Sequence, residues 1–114
     1  MREIKLGEQT VRVRATALAL LYYKQEFNAD LVGNLTKMEE MKDDPSKLDT
    51  VQMLQMAWAM AKADVFPNQF PSFTEWIATI ERIDIADPSF FLAILEEASD
   101  GFFRSGVKGA IQKR

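Results

Sequence analysis

The chain has 114 residues, 47% of them hydrophobic and 27% charged, which suits one globular domain with a single core and no disordered character. It contains neither His nor Cys, so disulfides, thiol nucleophiles, Cys-based zinc sites and all His-dependent acid–base chemistry are excluded. The formal net charge of −3, from 14 basic and 17 acidic residues, offers no clustered basic surface for a nucleic-acid backbone.

In chain order, Ile4 and Leu6 alternate with Glu3 and Lys5, Gly7-Glu8-Gln9 turns the chain, and Val11 and Val13 alternate with Arg12 and Arg14. This period-two pattern around a Gly-containing turn predicts a β-hairpin over residues 2–14, which must pack on something to be stable. The same alternation at the start is unlike a secretory signal, and Arg12–Val13–Arg14 reads as a solvated strand face. Thr16 is placed to cap a helix running from Ala17 to Phe27, with Leu20, Tyr23, Phe27 and Leu31 at helical spacing. Asn28 interrupts it, Ala29 to Leu35 supplies a further turn or two, and Lys37 to Asp44 reads as helix end and connection.

Asp44-Pro45 opens the next helix, because Pro is pre-organised for the first helical position. That helix runs to about Asp64. Leu54, Trp58, Ala61 and Val65 form one apolar stripe, and Met53, Met56, Ala57 and Met60 form another, rotated by roughly 130°. Only Gln52, Gln55 and Lys62 make a polar ribbon. A surface helix carries a single apolar stripe somewhat over 100° wide, so this one is either the central helix or has a core face and a partner face. Phe66-Pro67-Asn68-Gln69-Phe70-Pro71 is an aromatic, proline-punctuated loop. Ser72-Phe73-Thr74-Glu75 has capping-box spacing and leads a helix with Phe73, Trp76, Ile77, Ile80 and Ile83 on one side. Asp87-Pro88-Ser89 opens a last helix bearing Phe91, Ile94, Leu95, Ala98 and Phe102. The expected fold class is mainly α: an N-terminal hairpin packed on about four to five helices (16–104), one domain over 1–104, and a flexible tail at 105–114.

No catalytic constellation emerges. Asp43/Asp44, Glu39/Glu40 and Glu96/Glu97 are adjacent pairs, which diverge on a helix and read as solvated surface. No Asp-x-Asp-x-Asp-Gly loop or Gly-rich phosphate loop is present. The expectation is no enzyme, no cofactor and no metal. The methionine stripe has two readings, core filling or a forgiving apolar contact face, which Met38 and Met41 would extend. The aromatic loop likewise either tucks against the core or anchors a partner. The residues singled out as a partner-binding set are Met53, Met56, Met60, Phe66 and Phe70.

Ala15-Thr16-Ala17-Leu18, followed by Tyr22-Tyr23-Lys24-Gln25-Glu26-Phe27-Asn28-Ala29-Asp30-Leu31, resembles the tail assembly chaperones of long-tailed bacteriophages and prophages of Gram-positive bacteria. Those proteins carry a short N-terminal hairpin, an Ala-Thr-Ala start to the first helix, and a pattern that here falls on Tyr23, Phe27, Asp30 and Leu31. Phe73-Thr74-Glu75-Trp76-Ile77 resembles their Phe-x-Glu-Trp helix, followed by an acidic turn at Asp84 to Asp87. The likeness runs in order and spacing over residues 1–104, and Thr16, Tyr23, Phe27, Asp30, Leu31 and Trp76 are read as structural positions. Asn28 stands where glycine is expected, and it keeps the tolerance for positive φ.

The resemblance implies a non-catalytic chaperone that binds the tape measure protein, keeps it soluble and helps recruit tail tube protein. It implies action in the bacterial host cytoplasm and absence from the mature virion; the methionine face would serve the client or self-association, and composition leads to no expected nucleic-acid or membrane partner. A frameshifted longer product is common in the family. The alternatives are a head–tail connector or completion protein of the virion, or a small regulatory interaction protein unrelated to phage.

Overall fold

The computed structural model describes residues 2–41, 43–44, 49–80 and 89–103. It contains strands β1 (Arg2–Leu6) and β2 (Gln9–Val13), then helices α1 (Ala17–Phe27), α2 (Leu31–Glu40), α3 (Thr50–Val65), α4 (Phe73–Ala78) and α5 (Ser89–Phe102). The hairpin is antiparallel, pairing Leu6 with Gln9 and Arg2 with Val13. Gly7 makes its turn at φ 64°, a left-handed conformation that favours glycine at this position. A mainly helical fold with an N-terminal hairpin is therefore what the chain forms.

Asn28 ends α1 in the left-handed conformation, at φ 52°, and lets the chain turn into α2. That helix is longer than the turn or two expected. Leu31, Leu35 and Met38 are all buried along it, a stripe at i, i+4 and i+7 that carries the helix through its charged end. Helix α3 starts at Thr50, where the Asp49 carboxylate accepts the Gln52 N–H at 3.1 Å. The expected start at Pro45 lies outside the described residues, as do Ile83, Pro88 and the 105–114 tail. The capping box of α4 is complete, with Ser72 and Glu75 bonding reciprocally.

Thr16 occupies the N-cap of α1, but its hydroxyl caps nothing. The Ala19 N–H it would receive is taken by the Thr16 backbone carbonyl at 2.9 Å.

Helix α3 is the centre of the molecule. Met53, Leu54, Met56, Ala57, Trp58, Ala59, Met60, Ala61 and Ala63 are all buried along it. Helix α1 and strand β2 pack on it, α5 and α4 add further contacts, and α5 also covers β1. Lys62, the one cation in its polar ribbon, lies over the Tyr22 ring at 4.5 Å and the Trp58 ring at 5.1 Å, so its charge faces aromatic π-density. Edge-to-face contacts join Phe27 to Tyr23, Trp58 and Phe73. The Trp58 indole donates to the Pro71 carbonyl at 3.0 Å, which staples the aromatic loop to α3.

Between the hairpin and α5 the backbone approach is close, since a Cβ placed at Gly101 would overlap Ala15. Glu97 is buried there, 6% exposed, which corrects the reading of Glu96/Glu97 as a solvated pair. Its carboxylate accepts the Ala15 N–H at 3.1 Å and pairs with Arg2 at 3.5 Å. Arg2 also reaches Glu96 and Asp100, so one arginine holds β1 to the helix.

Candidate functional site

A groove of about 350 Å³ runs beside β2, with Gln9, Thr10, Val11 and Arg12 on one side. Ala61, Asp64 and Val65 from the end of α3 form the opposite wall, and Phe70 and Trp76 complete it. Its position follows from how β2 meets α3. At one end the Arg14 N–H donates to the Met60 carbonyl at 3.0 Å. At the other the Gln9 amide donates to the Thr79 carbonyl. The groove lies between these two ties.

The backbone along this stretch is unpaired on its outer side. A two-residue turn closes with a bond between its flanking residues, so Leu6 and Gln9 form a hydrogen-bonded pair. Bonded and non-bonded pairs then alternate, which directs the N–H and C=O of Thr10, Arg12 and Arg14 away from β1. The bond from Arg14 to Met60 fits this phase. Among the described residues, no group accepts from the Thr10 or Arg12 N–H.

Asp64 governs the electrostatics. Its side chain is 5% exposed and pairs with Arg12 Nε at 3.4 Å and Arg14 Nε at 3.2 Å. Both carboxylate oxygens are engaged. The two guanidinium groups are 53% and 45% exposed, and among the described residues their terminal nitrogens have no partner. Arg12 and Arg14 are thus half-exposed, as a solvated strand face should be, but they are also held in place.

Of the expected partner-binding set, Met53, Met56 and Met60 are 0% exposed. They lie in the core, not at a face open to a partner, because α3 is covered by elements on several sides. Met38 is buried with them. Phe70 is half-buried at the groove and Phe66, which follows Val65 directly, is 56% exposed. Phe73 packs among aromatic rings and Trp76 is buried. Of the positions on which the resemblance rests, Tyr23 and Leu31 are buried, Phe27 packs on Trp58, and Asp30 is the N-cap of α2. The Tyr23 hydroxyl accepts from Asn34 at 2.9 Å. Burial raises its pKa above the ordinary phenol value, opposed by the Asn34 bond and reinforced by Asp49 and Asp30.

The residues that sequence reasoning missed are Asp64 and the outer edge of β2. Asp64 did carry one signal, an acidic side chain in the last turn of a helix, where the macrodipole disfavours it. Among the described residues no group of His, Cys, Asp or Glu could hold a metal ion, and no helix is long and apolar enough to cross a membrane. What the groove offers is a partly apolar wall, a strand edge and the Arg12 cation, with Arg14 held beside it on the same Asp64 carboxylate, a set suited to holding peptide. No family model, curated protein or solved structure matches this chain.

Proposed function

We propose that the protein is a tail assembly chaperone that binds an aggregation-prone tape measure protein and keeps it soluble without chemistry. The observation that carries this reading is Phe66, a large apolar side chain 56% exposed at the end of the central helix. It lies next to a groove wall that the protein's own core does not fill. Large aromatic side chains are the commonest anchors of protein interfaces, and Phe66 is one left in solvent beside a partly apolar groove. The absence of His and Cys and the resemblance over residues 1–104 agree with a packing partner that works by contact alone.

Co-expression with the tape measure protein tests the reading. The client should stay soluble with this chain and aggregate without it. Phe66→Ser should lower the soluble client at least about fivefold, the scale of losing one interface anchor, while leaving the thermal midpoint unchanged. A client equally soluble with and without the chain would refute the proposal. Finding the chain in purified virions would favour a connector instead.

A further inference from the structure

We propose that the outer edge of β2 is a docking strand for an extended segment of a partner protein, in which apolar residues alternate with Asp or Glu. Three features of the groove specify this occupant. The first is the backbone. Thr10 and Arg12 present their N–H and C=O groups outward with no acceptor for either N–H among the described residues, and an unpaired edge is a template for another strand. The second is the pleat. In β2 the side chains of Val11 and Val13 point to the core face and those of Thr10, Arg12 and Arg14 to the other, following the register with buried Ile4 and exposed Glu3 and Lys5. A strand laid beside it inherits the same alternation. Its inner side chains meet Val65, Phe70 and Trp76, and its outer side chains meet Arg12 and Arg14.

The third feature is charge. Both guanidinium groups use Nε to reach Asp64, which orients their terminal nitrogens without satisfying them. A carboxylate on the incoming strand completes those forks. Where Arg12 must swing aside to clear the edge, Arg14 keeps Asp64 paired, so no buried carboxylate is stranded. The sign of this charge rejects the other candidates. Residues 104–114 carry Arg104, Lys108, Lys113 and Arg114 and no acidic residue. A second copy pairing through β2 about Arg12 would set the two Arg12 side chains directly opposite each other, and like charges across a strand pair destabilise it.

This concerns the same groove as the proposed function but does not rest on the tape measure protein, since any protein with such a segment would serve. The test uses the full-length, ¹⁵N-labelled chain and an acetylated, amidated nonapeptide alternating Ile and Asp. The Thr10 and Arg12 amide resonances should move downfield and gain protection from exchange as the peptide is added. Replacing its Asp residues by Lys should weaken binding at least about tenfold. Methylating the backbone nitrogens of its Asp residues should abolish binding, and methylating those of its Ile residues should not, for an antiparallel strand engages by one edge only. The reverse pattern would mark a parallel strand and support the proposal equally.

In the protein, Thr10→Pro removes a donor that points away from β1, so the hairpin persists. Affinity should fall about fivefold or more. The proposal is overturned if neither amide responds up to about 1 mM peptide, if both methylated peptides bind like the parent, or if unlabelled protein alone causes the same shifts. Any of these outcomes leaves client solubilisation as a separate question.

Discussion

Two covered acidic side chains, Glu97 and Asp64, meet arginines of the hairpin region in opposite ways. Glu97, 6% exposed, sits where β1 and the start of α1 close on α5, and it accepts a backbone N–H as well as pairing with Arg2. Asp64 is just as covered, with 5% of its side chain exposed, yet both of its arginine partners stand about half in solvent beside an open strand edge. A covered carboxylate facing arginine is thus a closed joint in one place and the fixed post of an exposed cationic pair in the other. Burial of the acid alone does not distinguish them. What does is whether the partner cations and the neighbouring backbone have anything left to bind.

The sharpest way to break this contrast is Glu97→Ala. It strands the Ala15 N–H and loosens Arg2, and should destabilise the fold by about 3 kcal/mol in urea titration. Asp64→Asn should have a smaller effect, within about 1 kcal/mol, because half-exposed ion pairs contribute little. The same substitution should tighten binding of the alternating Ile–Asp peptide, by removing a negative charge that faces the ligand's own carboxylates. Equal destabilisation by the two variants would mean that Asp64 is a closed joint too.

The smallest effect concerns the closed side of the molecule, at Tyr23. Its charged form is the phenolate, and burial raises its folded-state pKa above the ordinary phenol value. The stability it confers is therefore complete below about pH 10 and is lost as pH rises through the higher folded value. Urea midpoints should fall across that alkaline window in the parent chain and stay flatter in Tyr23→Phe, with little difference between the two pH profiles near neutrality.

Local patterning made most of the fold legible. Alternation around Gly7 marked the hairpin, Asn28 marked the end of α1, and Ser72 with Glu75 marked the start of α4. The stripe of Leu31, Leu35 and Met38 was equally readable, but the charges at its end, Lys37, Glu39 and Glu40, concealed a full-length α2. For α3 the apolar arc was visible and its meaning was not. Periodicity reports how much of a helix is apolar, whereas which elements cover Met53, Met56 and Met60 is decided by parts of the chain far away. The same holds for the site. Glu97 finds Ala15 across 82 residues, and Asp64 finds Arg14 across 50. Nothing in the neighbourhood of either acid names its partner. Phe66 and Phe70 were identifiable as aromatics beside prolines, but only the packing of the loop decided that Phe66 should be left in solvent.

The attachment of Arg2 to Glu96 and Asp100 spans 94 and 98 positions, and that distance has a meaning during synthesis. A chain grows from its N-terminus at about 5–20 residues per second, so β1 is made well before its covering helix α5. Until α5 leaves the ribosome, the buried face of the hairpin formed by Ile4 and Leu6 has no lid. The nascent protein therefore passes through a stage in which β1 is exposed and unfinished. Closure of β1 by α5 ends that stage.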